Sequence, residues 1–190
     1  AGSGMPTTAE NAGLDPDSPE GRRATNVDQG TWRALLLYVH GKWVEGAAQH
    51  FPRTIEAMRE APHFVSGGFS ALEPHSHIAT HHGPNKGGLR FQLPIIVPGE
   101  PGECRIRIES DMVVWREGEP VMFDLACSHE AWNDSDGFRV LLMIEVFMPL
   151  PAGLALFNRF TQFTYRFHPS YRGMAGRAET LVKKHQGVPG

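Results

Sequence analysis

From Phe64 to Phe147 the chain is a succession of short apolar segments, each stopped by Gly, Pro or Asp/Asn turn residues. That texture points to a β-rich fold. It predicts strands at Phe64–Leu72, Leu89–Val97, Cys104–Ile108, Met112–Trp115, Val121–Leu125 and Arg139–Phe147. Within Cys104–Ile108 the apolar Cys104, Ile106 and Ile108 alternate with Arg105 and Arg107, as in a half-buried strand. The segments 98–102 and 117–120 are rich in Gly, Pro and Glu and read as turns. Many short strands at this spacing suggest a sandwich or a jelly roll.

The flanks differ. Residues 1–30, rich in Gly, Pro, Ser, Thr and Asp, lack apolar periodicity and read as a flexible arm. Ala1-Gly2-Ser3-Gly4 before Met5 reads as a cloning remnant. Trp32 to His40 fits either a short amphipathic helix or a buried strand closed by Gly41. Ala47 to Glu60 is better helix, with Pro52 in a first turn and Ala48, Phe51, Ile55 and Met58 on one face. In the tail, 151–190, the apolar Leu154, Phe157, Phe160, Phe163 and Phe167 recur at three- and four-residue steps. This predicts a helical extension packed on the central domain of residues 31–150 or on a second subunit, as in a homodimer.

Bulk properties narrow the function classes. The 190 residues are 41% hydrophobic and 21% charged, which is ordinary for one soluble domain. A net charge of −3 supplies no basic field for nucleic acid. No apolar run reaches the roughly 18–20 residues needed to span a bilayer, and no secretory leader is visible. Cys104 and Cys127 lie in strand-like segments and read as free thiols. The expected location is cytoplasmic.

The chemistry concentrates in two places. His81 follows a possible strand end, Ile78-Ala79-Thr80, and precedes a Gly83-Pro84 turn. His129 follows Val121–Asp124, and Arg139 stands ten residues beyond it. Two neutral imidazoles with open positions between them suit Fe(II), and an arginine fork suits the carboxylate of a 2-oxo acid. Arg139 heads an apolar strand, where a cation needs an anionic partner. Glu145, Glu130 or Asp124 could be that partner, and so could a bound carboxylate. Arg90 and Gln92, two apart, share a strand face. Among the ten histidines, His82 is the rival for His81 as first ligand, His77 a supporting residue on the same strand face, and His168 a tail residue.

His81-His82-Gly83-Pro84-Asn85, Leu89-Arg90, Trp115, Gly118, Phe123-Asp124, His129-Glu130-Ala131-Trp132 and Phe138-Arg139 together resemble the aspartyl/asparaginyl β-hydroxylase family. The likeness extends back through Ser70, Pro52-Arg53-Thr54 and Trp32, and forward to Pro149. It implies a mainly β, double-stranded β-helix (jelly-roll, cupin-like) fold with flanking helices. It also implies an oxygenase that takes Fe(II), 2-oxoglutarate and O2 and hydroxylates the β-carbon of an aspartyl, asparaginyl or similar residue. His81 and His129 match the metal ligands, Arg139 and Ser70 the groups that bind the distal carboxylate of 2-oxoglutarate, and Arg90 a catalytic-pocket arginine. Gly83 falls where most oxygenases of the wider class carry a metal-binding carboxylate, which this family lacks. Gln92 stands where the family usually has a second histidine that helps hold the cosubstrate; a glutamine donates a hydrogen bond without a charge.

The expected substrate is a free amino acid, a carrier-bound aminoacyl group or a small peptide, recognised through a carboxylate or amide. Arg90 is expected to be the pocket's single fixed cation. Trp132 and the aromatic tail are expected to keep the site dry. A fatty-acyl lipid hydroxylase, a halogenase using the open position at Gly83, and a non-catalytic jelly-roll binding protein are the alternatives.

Overall fold

A computed structural model describes residues 5–18, 24–39, 41–44, 50–83, 86–165, 167 and 176–180. Among them eleven strands form two antiparallel sheets. In chain order the strands are β1 (Val27–Gln29), β2 (Trp32–Val39), β3 (Lys42–Trp43), β4 (Phe64–Leu72), β5 (Ser76–His81), β6 (Gly88–Ile96), β7 (Cys104–Ile108), β8 (Asp111–Val114), β9 (Val121–Asp124), β10 (His129–Asn133) and β11 (Arg139–Phe147). The described helices include α1 (Thr8–Ala12), α2 (Pro52–Glu60) and α3 (Ala152–Tyr165). One sheet runs β3-β2-β4-β11-β6-β9 and the other β1-β5-β10-β7-β8. With β4 to β11 counted as eight, the orders are 1-8-3-6 and 2-7-4-5. That alternation between facing sheets is a double-stranded β-helix.

Two apolar layers hold it. Leu72, Ile78, Cys104, Ile106, Trp115, Phe123, Ala131 and Leu141 fill the space between the sheets. Leu37, Val39, Ile55, Met58 and Ile144 bury the outer face of the larger sheet under α2. Each fully buried Leu, Ile or Met contributes on the order of 2 kcal/mol of transfer free energy.

The strands expected at Phe64–Leu72, Cys104–Ile108 and Arg139–Phe147 are found with those bounds, and the others within a residue at either end. Trp32–Val39 resolves as a strand, because its apolar residues pack on both faces, between β4 and α2. The second expected helix is described from Pro52, at its first turn, to Glu60; Ala48 lies outside the described residues.

Two expectations are corrected. The segment expected to be a flexible arm carries ordered elements. Thr7 and Glu10 form a capping box at α1, Asn11 Nδ2 donates to Ala34 O at 2.8 Å, and β1 pairs with β5. The cap is a polar contact and the other two reach distant strands, so apolar periodicity could not show them. The tail is helical over Ala152–Tyr165, but its aromatic face points outward: Phe157, Phe160, Phe163 and Phe167 are all exposed. The expected Ala1–Gly4 remnant and His168 lie outside the described residues, as does most of the tail after Tyr165.

Candidate active site

The centre begins with an irregularity in β5. Ile78 pairs with Ala131 and His81 with His129, so three steps on β5 face two on β10. The extra residue is a β-bulge at Ala79–Thr80, which re-aims the side chains after it. Ser76 and Ile78 point inward, Thr80 reaches Glu130 on the outer face, and His81 turns back in. Strict alternation places His77 on the face of His81. The bulge reverses this: His77 lies outside, between Asp28 (2.7 Å) and Glu130 (2.8 Å), stacked on Trp132. Trp132 is thereby taken away from the site it was expected to keep dry.

His81 and His129 are register partners with ring centroids 4.2 Å apart. His81 Nδ1 donates to Ala79 O (2.9 Å) and His129 Nδ1 to Cys127 O (3.0 Å). Those bonds fix the tautomer that leaves each Nε2 with a lone pair, the form a metal takes. His129 is buried, its Nε2 has no partner, and Phe123 packs edge-on against its ring. Burial, more than the neighbouring Arg90, lowers the pKa of both rings, that of His129 to about 4. Both imidazoles are therefore neutral at pH 7. His82 points away, exposed, with Nδ1 donating to Ala126 O.

Arg139 opens β11 opposite Leu72 and is 2% exposed. None of the three carboxylates that could partner it from within the chain meets it: Glu145 pairs with Arg90, Glu130 with Arg107 and His77, and Asp124 accepts from Ala126 N. No described carboxylate forms an ion pair with Arg139, its Nε is unsatisfied, and burial lowers its pKa to about 10. A buried guanidinium without an anionic partner is costly, and a carboxylate is the kind of group that would relieve the cost. Ser70, paired with Leu141 two residues along β11, is on the same sheet face. Its Oγ accepts from Trp32 Nε1 at 2.9 Å, which leaves the hydroxyl proton for a second acceptor.

Further along the same face, Glu145 pairs with Arg90 and Met143 with Gln92. Arg90 NH2 bonds the Glu145 carboxylate, which also accepts from Ser66 Oγ at 2.9 Å. The pocket's expected single fixed cation is thus neutralised by Glu145. Gln92 Nε2 lies 3.6 Å from Met143 Sδ, and its Oε1 is buried without a partner. His129 Nε2, Arg139 Nε, Arg90 Nε and Gln92 Oε1 are therefore four buried, unsatisfied polar atoms around one interior.

Gly83 explains the missing carboxylate. A Cβ there would lie 2.7 Å from Leu125 Cδ2 and 2.9 Å from Leu125 O, while its own N–H donates to that carbonyl at 2.8 Å. Leu125 occupies the space that a side chain at position 83 would need. Among the described residues no three of His, Cys, Asp or Glu converge for a metal. Cys104 and Cys127 are free thiols, the first buried.

Asn133 escaped sequence reasoning. It is fully buried, and the two N–H groups of its Nδ2 are shared among Leu72 O, Glu73 O and Gly137 O at 2.8–2.9 Å. Its Oδ1 accepts from Ser135 Oγ at 2.6 Å. This clasp ties the end of the His129 strand to the end of the Ser70 strand and to the turn before Arg139. The one available signal was a polar residue at an inward position of alternation with His129 and Ala131. Glu145 carried the analogous signal on β11.

Fold and site define a double-stranded β-helix whose interior receives the register pair His81 and His129 and a buried arginine. The chain belongs to the aspartyl/asparaginyl β-hydroxylase family, whose model matches residues 9–149. It is 34% identical over 127 residues to the ornithine lipid ester-linked acyl 2-hydroxylase of Rhizobium tropici, covering 67% of this chain and 45% of that protein. It is 28% identical over 127 residues to the human aspartyl/asparaginyl β-hydroxylase, covering 64% of this chain and 16% of that protein. The chain thus spans less than half the length of these relatives. Among solved structures, the cupin domain of an Enterobacter cloacae XRE-family transcriptional regulator superposes with a TM-score of 0.42 at 13% identity, over 62% of this chain and 98% of that one.

Proposed function

We propose that this protein is an Fe(II)- and 2-oxoglutarate-dependent hydroxylase. The observation that carries the reading is the buried Arg139, without a carboxylate partner, on the interior that also receives the unsatisfied Nε2 of His129. His81 and His129 would hold Fe(II), and the donor set fits: two neutral imidazoles with Nδ1 locked by backbone carbonyls and, among the described residues, no third protein ligand. Bound Fe(II), with 2-oxoglutarate and O2, supplies the oxidation that places a hydroxyl on an unactivated carbon. Arg139 and the Ser70 hydroxyl bind and orient the distal carboxylate of the cosubstrate. Gln92 offers it a neutral hydrogen bond in place of a charge. Phe123 closes the apolar side of His129 against water.

For the substrate, an aminoacyl β-carbon, free, carrier-bound or in a peptide, is the first reading. The Arg90–Glu145 pair presents a donor and an acceptor side by side, which suits an amide or a zwitterionic amino acid better than a net acidic group. The same neutrality favours the second reading, a lipid acyl hydroxylase, because no uncompensated charge at Arg90 repels an apolar chain. Incubation with Fe(II), 2-oxoglutarate and a panel of Asp, Asn, an aspartyl peptide and an ester-linked acyl lipid separates them. Succinate formation coupled to a gain of one oxygen should appear with one class only. Coupled turnover of the lipid alone, unchanged in Arg90→Ala, would transfer the assignment to the second reading. Succinate with none of them would leave both readings wrong.

A further inference from the structure

The helix α3 is built with its polarity reversed. The face against the domain holds Ala155, buried Asn158 and Thr161; the face turned to solvent holds Leu156, Phe157, Phe160 and Phe163. Those four are 71%, 64%, 63% and 51% exposed, and Phe167 beyond the helix is 66% exposed. A helix that only covered the barrel would carry the opposite pattern. Contiguous exposed aromatic surface of this kind marks a docking site.

Its position is fixed. Asn158 Nδ2 donates to Gly87 O at 2.7 Å, and Met148 N donates to the same carbonyl at 2.9 Å. A Cβ at Gly87 would fall 2.1 Å from Asn158 Oδ1, so only glycine admits the helix this closely. Gly87 lies between His81 and Arg90, so α3 stands beside the segment that links the two sides of the site. The formal charge on the helix and beside Gly87 is positive. The helix carries Arg159 and no acid, and exposed Lys86 precedes Gly87. Over residues 151–190 the sequence has six arginines and lysines against the single acid Glu179, in a chain whose net charge is −3.

We infer that the outward face of α3 docks the domain on an anionic lipid surface. Aromatic side chains enter the interfacial layer while flanking cations meet lipid phosphates, the arrangement of an interfacial amphipathic helix. A second copy of the chain fits less well. A two-fold contact through this face would bring together two surfaces that both carry positive charge, and the helix offers no acid to offset it. The inference concerns binding alone, so it stands or falls separately from the hydroxylase reading.

The test is co-sedimentation of the full chain, without Fe(II) or 2-oxoglutarate, with phosphatidylcholine vesicles and with vesicles of phosphatidylcholine and phosphatidylglycerol. The wild type should bind the anionic vesicles and lose that binding in high salt. The variant Phe157→Ser/Phe160→Ser/Phe163→Ser alters solvent-facing positions and should keep the thermal transition. Its partition coefficient should fall by about a hundredfold. Arg159→Glu should weaken binding to anionic vesicles several-fold with its fold intact. Binding indifferent to anionic lipid and salt would overturn the inference. So would a wild-type dimer that the triple substitution converts to monomer while neither protein binds vesicles.

Discussion

His81 and His129 face each other across the β5–β10 ladder with ring centroids 4.2 Å apart, each having donated Nδ1–H to the carbonyl two residues upstream. The backbone thus sets tautomer and direction before any ligand arrives. Both rings are held neutral and inward, on an interior that also contains a buried cation.

Arg139 is a liability to the ligand-free fold. Replacing it with methionine removes a buried cation that has no described ion-pair partner. Arg139→Met should therefore raise the melting temperature of the ligand-free protein, by an amount worth about 1–3 kcal/mol. 2-Oxoglutarate should stabilise the wild type in a thermal shift assay and leave the variant unmoved. A large loss of stability in the variant would mean that Arg139 serves an internal ion pair.

The histidine pair sets an acid limit. The folded pKa of His129 is about 4, below the ordinary 6.5, and that of His81 is lowered too. Between those values the unfolded chain binds more protons, so stability falls as pH drops through the window and is unaffected above it. The slope approaches about 1.4 kcal/mol per pH unit for each ring that stays neutral. Urea midpoints of the metal-free protein from pH 7 to pH 4 should show a shallower decline for His129→Asn than for the wild type. Parallel curves would contradict the assignment of burial to His129.

Gly83→Asp should not create a three-ligand centre. Its Cβ meets Leu125 at 2.7 Å, and the change should cost about 1–3 kcal/mol of stability. Metal affinity, read by titration of Fe(II) under anaerobic conditions, should not improve. A tighter metal site in this variant would show that Leu125 yields to the side chain.

Asn133→Ala removes several hydrogen bonds at a fully buried position. The expected loss is about 2–4 kcal/mol, since carbonyls at the ends of two strands lose their donor. Because the clasp leads into Arg139, the KM for 2-oxoglutarate should rise more than kcat falls. A stability loss without a change in KM would restrict Asn133 to the fold.

Much of the fold is legible in the chain. The strand Cys104–Ile108 announces itself by alternation, and Arg139–Phe147 by a near-continuous apolar run even though Arg139 and Glu145 face inward. The strands that bear the histidines do not. In β10 two of the three inward positions are His129 and Asn133, and in β5 the bulge at Ala79–Thr80 breaks the period. A functional strand facing a polar interior carries no hydrophobic signal, and a bulge is a tertiary fact. The histidine pair can be read from turns and residue types, while the exclusion of His77 needs the register. The pairing of Arg90 with Glu145 is equally hidden. It depends on which residues of β6 and β11 lie opposite each other.

Two histidines and no protein carboxylate should hold the iron that turns over 2-oxoglutarate. Anaerobic Fe(II) binding, followed by succinate formation on admitting O2 and 2-oxoglutarate, decides this in the wild type and in His81→Ala, His129→Ala and His82→Ala. The wild type and His82→Ala should bind one iron per chain and form succinate, with both properties lost in the other two variants. Succinate formation that survives removal of His81 or His129, or that disappears with His82, would contradict the two-histidine centre.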